Sequence, residues 1–146
     1  MYENLPKNQK TFDIDMVGKT TGHHYKGQFT VKCVLDMAGI HQLELEKTRL
    51  RADYANPSQG LVGISVTLAT IRAKAISTPD WWVNSDFGSK IIDQDVILAI
   101  FDKCEQAEID WKKSIKSKAD EAQDILDKVK NQEEADEQLP GETQAQ

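Results

Sequence analysis

A Trp-Trp pair directly behind a proline, Pro79-Asp80-Trp81-Trp82, limits what this chain can become more than any other stretch. Two adjacent indoles cannot both sit comfortably in water. Each must plug a core or anchor an interface, because Trp carries the largest apolar surface of any side chain. All three tryptophans and two of the four phenylalanines fall between residues 79 and 115. The same stretch holds Ile91-Ile92-Asp93-Gln94-Asp95-Val96-Ile97-Leu98-Ala99-Ile100-Phe101, the start of a helical run with the longest apolar stripe. Core packing and partner contact both remain open for Trp81 and Trp82. Neighbouring residues point to different sides, so one indole can do each job.

Ahead of this stretch the pattern has a period of two. Phe12, Ile14 and Met16 alternate with Asp13 and Asp15, and Phe29, Val31, Cys33 and Leu35 share one face of a second run starting at Gln28. Half-buried strands read this way. The polar segment Gly18 to Gly27 between them predicts an antiparallel hairpin with a long, projecting loop. Asp36 then suits the N-cap of a helix from Ala38 to Tyr54, with Ile40, Leu43, the Lys47 stem, Leu50 and Tyr54 inward and Glu44, Glu46, Arg49 and Arg51 in solvent. Asn56-Pro57-Ser58-Gln59-Gly60 ends it. A second helix is expected over Leu61 to Ser77, with its stripe on Leu61, Ile64, Leu68, Ile71 and Ala75 and with Arg72 and Lys74 suiting its C-terminal end. Asp93 or Asp95 caps the last helix, whose apolar series Ile97, Ile100, Cys104, Ala107, Trp111 and Ile115 thins through Ala122, Ile125 and Val129. The predicted core is Phe12, Phe29, Leu68, Ile71, Ile97, Ile100 and Phe101. The fold class is therefore α+β: an N-terminal β-hairpin packed on three helices, the last one long, with a disordered acidic C-terminal tail. Its divisions are a flexible arm at 1–10, a globular domain at 11–118, a projecting helix end at 119–130 and the tail at 131–146.

Charge narrows the function. The net charge is −6, and the last sixteen residues hold five acids without a Lys or Arg. The body is nearly neutral, which argues against a phosphate-tracking surface and so against nucleic acid as the main ligand. No run has the roughly 18 apolar residues that a membrane span needs, and Met1 to Pro6 lacks the basic and apolar regions of a secretory signal. Cys33 and Cys104 fit buried cytosolic thiols better than a disulfide or a reactive thiolate. His23, His24 and His41 are the only histidines. His23-His24 with Asp13 or Asp15 is a conceivable metal site, set against exposed loop histidines, because adjacent residues in an extended loop point opposite ways. Gly18-Lys19-Thr20 resembles the end of a phosphate-binding loop, but Asp13 stands where the motif requires glycine. Asp93-Gln94-Asp95 is explained by a helix N-terminus without a metal. No catalytic residue, cofactor or metal is assigned.

The order of parts, with Thr21-Gly22-His23-His24-Tyr25-Lys26-Gly27-Gln28-Phe29-Thr30-Val31-Lys32 in the hairpin, Ile76-Ser77-Thr78-Pro79-Asp80-Trp81-Trp82 after the small-residue helix and Ile91 to Ile97 opening the last one, resembles small morphogenesis proteins of tailed bacteriophages, tail assembly chaperones and minor virion proteins among them. The resemblance covers residues 11 to 115 and rests on composition. It implies a non-enzymatic assembly protein in the cytoplasm of the infected host cell, a tail assembly chaperone first and a structural component retained in the virion second. A small metal-dependent enzyme using the His23/His24 loop is the alternative from another class. Expected partners are other phage structural proteins and further copies of the chain, with no small-molecule substrate. Trp81, Trp82, Trp111, His23, His24 and Tyr25 are the expected contact residues.

Overall fold

A computed structural model describes residues 5–52, 55–56 and 58–144, with side chains described as far as Ala135. The fold is α+β, as the alternation and helical spacing predict. Strands β1 (Lys10–Val17) and β2 (His24–Val31) pair antiparallel, with Phe12 opposite Phe29 and Met16 opposite Tyr25. Of the positions that the alternation marks, Ile14, Phe29, Val31 and Cys33 are buried and Phe12, Met16 and Leu35 half-buried, whereas Asp13 and Asp15 face water; Tyr25, read as part of the loop, is an inward strand residue as well. β2 lies four residues earlier than expected. The loop is therefore only Gly18 to His23, not a long projection.

Helix α1 (Met37–Arg51) starts where Asp36, in extended backbone, accepts the Gly39 amide at 2.8 Å. Ile40, expected inside, is largely exposed, and Tyr54 lies outside the described residues. Helix α2 (Gln59–Lys74) is capped by Ser58, whose hydroxyl accepts the Leu61 amide at 3.2 Å. It ends three residues before the expected Ser77. Ala75 to Ser77 instead forms β3, which pairs antiparallel with β2 in the order β1-β2-β3. Pro79 explains the switch in part, since the residue before a proline is driven out of the helical region.

The Trp-Trp segment is a short helix, α3 (Asp80–Asn84), with Pro79 at its N-cap position. Trp82 is fully buried and meets Phe29 edge-on at 5.7 Å. Trp81, half-buried, also meets Phe29 edge-on, at 5.7 Å, and gives its indole N–H to the Lys26 carbonyl at 3.0 Å. Both indoles thus grip the hairpin. Gly27 allows this, because a Cβ there would collide with Pro79 and crowd Trp81.

Helix α4 is Gln94–Gln144. Its residues Val96, Ile100 and Cys104 complete a core with Ile14, Tyr25, Phe29, Val31, Leu68, Ile71 and Trp82, against which Phe12, Ile97 and Phe101 pack. The chain divides into two compact units, one of residues 7–111 and one that contains residues 112–144. The expected arm is shorter than ten residues, since Asn8 exchanges two hydrogen bonds with the Val34 backbone, at 2.9 and 2.8 Å. Most of the acidic tail lies beyond the described side chains. Among the described residues no helix is long and apolar enough to cross a membrane.

After α3 the chain turns through Asp86, Phe87 and Gly88, all with positive φ (54°, 52° and 89°). Arg72 holds this turn by donating to the Phe87 carbonyl at 3.1 Å and the Asp86 carbonyl at 2.9 Å, while a third nitrogen reaches Glu46 at 3.3 Å. Glu46 is thus drawn out of the solvated face expected for it, and its hydrogen bond with Arg49, then that with Arg72, holds its carboxyl below the usual value. The Trp82 ring lies where a Gly88 side chain would be. Gly88→Ala should therefore destabilise by about 2–5 kcal/mol, adding a left-handed backbone cost to overpacking. Gly22→Ala has the backbone cost and open space around it, so about 1–2 kcal/mol is expected. Urea unfolding of the two variants, side by side, measures the difference.

Candidate functional site

The α4 N-terminus carries Asp93 and Asp95, and both reach back to the β1–β2 loop. Asp93 is fully buried. Its Oδ1 accepts the amides of Thr20 and Thr21 at 2.8 and 2.9 Å, and its Oδ2 accepts the Thr21 hydroxyl at 2.5 Å and the Tyr25 hydroxyl at 2.7 Å. Four donors match the roughly four acceptor positions of a carboxylate. Asp95 accepts the Lys19 amide at 3.2 Å. Three successive loop N–H groups therefore converge on carboxylates, a nest of the kind that binds anions. The phosphate-loop reading of Gly18-Lys19-Thr20 meets an anion cradle after all, and the chain's own Asp93 fills it. Gly18 permits the approach, since a Cβ at that position would overlap the Asp93 carboxyl.

The Thr21 hydroxyl first, then the Thr21 amide, the Tyr25 hydroxyl and the Thr20 amide, lower the Asp93 pKa from 3.8 to about 2 in spite of burial. Burial and the neighbouring carboxylate push Tyr25 the other way, upward. Tyr25 is buried and braced edge-on by Trp81 at 5.3 Å and by His23 at 4.7 Å.

These contacts reassign several expected contact residues. Trp82 and Tyr25 are interior and present no ring to a partner. Trp81 and Trp111 are half-buried, Trp81 against the hairpin. His23 and His24 are exposed. His24 bonds to Asp15 across the strands, an interaction that lowers the Asp15 pKa, while Asp13 is engaged by Gln28 at 3.4 Å. Among the described residues no three of His, Cys, Asp and Glu stand close enough to hold a metal ion. Cys33 and Cys104 are buried free thiols; burial raises both, Cys104 to about 11. The buried Lys74, read from sequence as a helix-end charge, faces Glu108 at 3.5 Å.

The open surface is elsewhere. A groove of about 460 Å³ lies between the start of α2, the segment 88–91 and the start of α4. Ile64, Leu68, Ile91, Ile97 and Leu98 line it, and Gly60 and Gly63 thin its α2 wall. Ile64 and Leu98 are about half exposed at 50% and 53%, and Ile92, next to Ile91 in the chain, at 65%. Ile64 belonged to the expected core stripe. The groove exists because glycines replace side chains beside it, which helical spacing alone does not reveal.

Acid titration probes the clamp. A carboxyl whose pKa falls on folding stabilises the fold fully above its unfolded value, near 3.8, and that contribution is lost as pH drops towards 2. Asp93→Asn should lower the urea midpoint at pH 7 and flatten the stability profile between pH 4 and 2, and Tyr25→Phe should give a smaller loss at pH 7. Denaturation across that pH range measures both. Compared with protein-family models, curated proteins and solved structures, the chain matches none.

Proposed function

We propose that the chain acts through protein–protein contact, without a catalytic step, as an assembly protein of the tail-chaperone kind in the infected cell. The observation that carries this reading is the aliphatic groove, with Ile64 and Leu98 half exposed on its walls. Its occupant is an apolar segment of a partner polypeptide, seated by two or three aliphatic side chains as in helix-in-groove recognition. Such a groove suits holding an unassembled structural protein in solution, because it offers apolar contact with few directional polar groups and tolerates varied sequences. Tyr25, Phe29 and Trp82 are committed to the core, and the apolar side chains that line the groove are all aliphatic.

A second reading, a structural component retained in the particle, draws on β1 being the longer of the two outer strands of the sheet. An outer strand can extend a neighbour's sheet through its backbone groups.

Affinity capture of tagged protein from its native cells, followed by mass spectrometry, tests the first reading. Phage tail or capsid proteins should come along, and Leu98→Glu should lose most of them while keeping the circular dichroism spectrum of the parent. Capture of metabolic enzymes alone, or an undiminished catch with Leu98→Glu, would sink it. Detection of the chain in purified particles favours the second reading.

A further inference from the structure

Residues 112–135 of α4, exposed throughout except for the half-buried Ser114 and Ile115, form a helical surface with two regularities. The first is apolar spacing: Ile115, Ala122 and Val129 alternate with Lys118 and Ile125 in steps of three and four, the seam of a coiled coil. Ile125, Leu126 and Val129 are 64%, 47% and 48% exposed, too open for the buried side of a finished helix. The second is charge. Residues 111–119 hold four lysines and no acid, whereas residues 120–135 hold six acids and two lysines.

We propose that this segment pairs antiparallel with the same segment of a second copy of the chain, with the two-fold axis between residues 123 and 124. Charge complementarity selects the occupant. A parallel pair would set lysines on lysines and acids on acids and would stack Lys118 on itself in the seam. Reversing one helix lays each basic end on the partner's acidic end.

One register also satisfies the side chains. With Ala122 opposite Ile125 of the second copy, small meets large in both central layers. The flanking positions then bring Ala119 against Leu126 of the second copy and Glu121 against Lys128 of the second copy, each contact made twice by symmetry. At the ends Lys112, level with Ala135 of the second copy, reaches Glu133 of the second copy along the same flank. A parallel pair in register would instead set Ala122 on Ala122 and leave its layer thin. The overlap of 24 residues spans about 36 Å at ~1.5 Å per residue, just over three heptads. Such a short pairing is weak and reversible, and electrostatics weighs heavily in it. The contact uses no residue of the groove, so either surface can fail its test without the other.

The test is sedimentation of the full chain at tens of micromolar in low salt. A dimer is expected. Glu121→Lys and Lys128→Glu should each weaken it by about ten-fold, because each converts two attractive contacts into repulsive ones, and the double variant should restore it. Distances between spin labels give the direction. Labels on Asp124→Cys should lie about one helix diameter apart plus the label arms, while labels on Lys113→Cys should be offset by about 30 Å along the axis. The unsubstituted protein supplies the background from the buried Cys33 and Cys104. A monomer throughout, a dimer that ignores the charge reversals, or short distances at both positions would overturn the proposal.

Discussion

A single carboxylate joins the two ends of the 7–111 unit. Asp93 brings a negative charge into a fully buried position, which is tolerable only because four donors meet it and the α4 N-terminus adds a favourable dipole. Much of the neighbourhood follows from that contact. It folds the Gly18–His23 loop back onto the domain and anchors the Tyr25 hydroxyl. Tyr25 in turn braces Trp81, and Trp81 shares Phe29 with Trp82. Removing this acceptor would leave the buried Tyr25 hydroxyl and the part-buried Thr20 and Thr21 donors without their partner, and an unmet buried donor costs more than the net gain of one bond.

Local regularities were legible in the residues themselves. The alternation of Phe12, Ile14 and Met16, the Asp36 cap and the burial of Phe29, Leu68, Ile71 and Ile100 all follow from short-range pattern. What escaped the pattern depends on partners distant in sequence. β3 is three residues long and exists because β2 offers it an edge. Asp93 reads as a helix cap until the loop is known to fold onto it. Arg72 reads as a helix-end cation until the turn at 86–88 supplies carbonyls. Ile64 sits at a core spacing, yet the wall beside it has glycines where side chains would be needed to cover it. The Trp-Trp pair, open in the sequence between core and interface, divides in the fold: Trp82 is fully buried and Trp81 is half-buried against the hairpin.

Interior and surface are therefore chemically distinct. Tyr25, Phe29, Trp82, both thiols, the hydrogen-bonded Asp93 and Lys74, which pairs with Glu108, lie inside the domain among aliphatic side chains. Ile64, Leu98 and the half-exposed Phe87 lie outside, with the segregated charge of α4. Such a surface favours contacts that form and release over contacts that lock, since aliphatic patches of this size and exposed ion pairs each contribute modestly.

The clamp also sets an order of events during synthesis. Residues 10–31 contain everything the hairpin needs to pair, but the anion that fills its loop arrives more than seventy residues later. Until Asp93 has left the ribosome, the amides of Thr20 and Thr21 must be satisfied by water, and Tyr25 has no acceptor beneath it. A nascent chain ending before residue 75 thus holds a two-stranded ribbon of marginal stability, and one ending before residue 93 still lacks the α4 side chains that complete the core. The hairpin is first to be made and among the last to be secured, so the domain gains its cooperativity when the start of α4 appears.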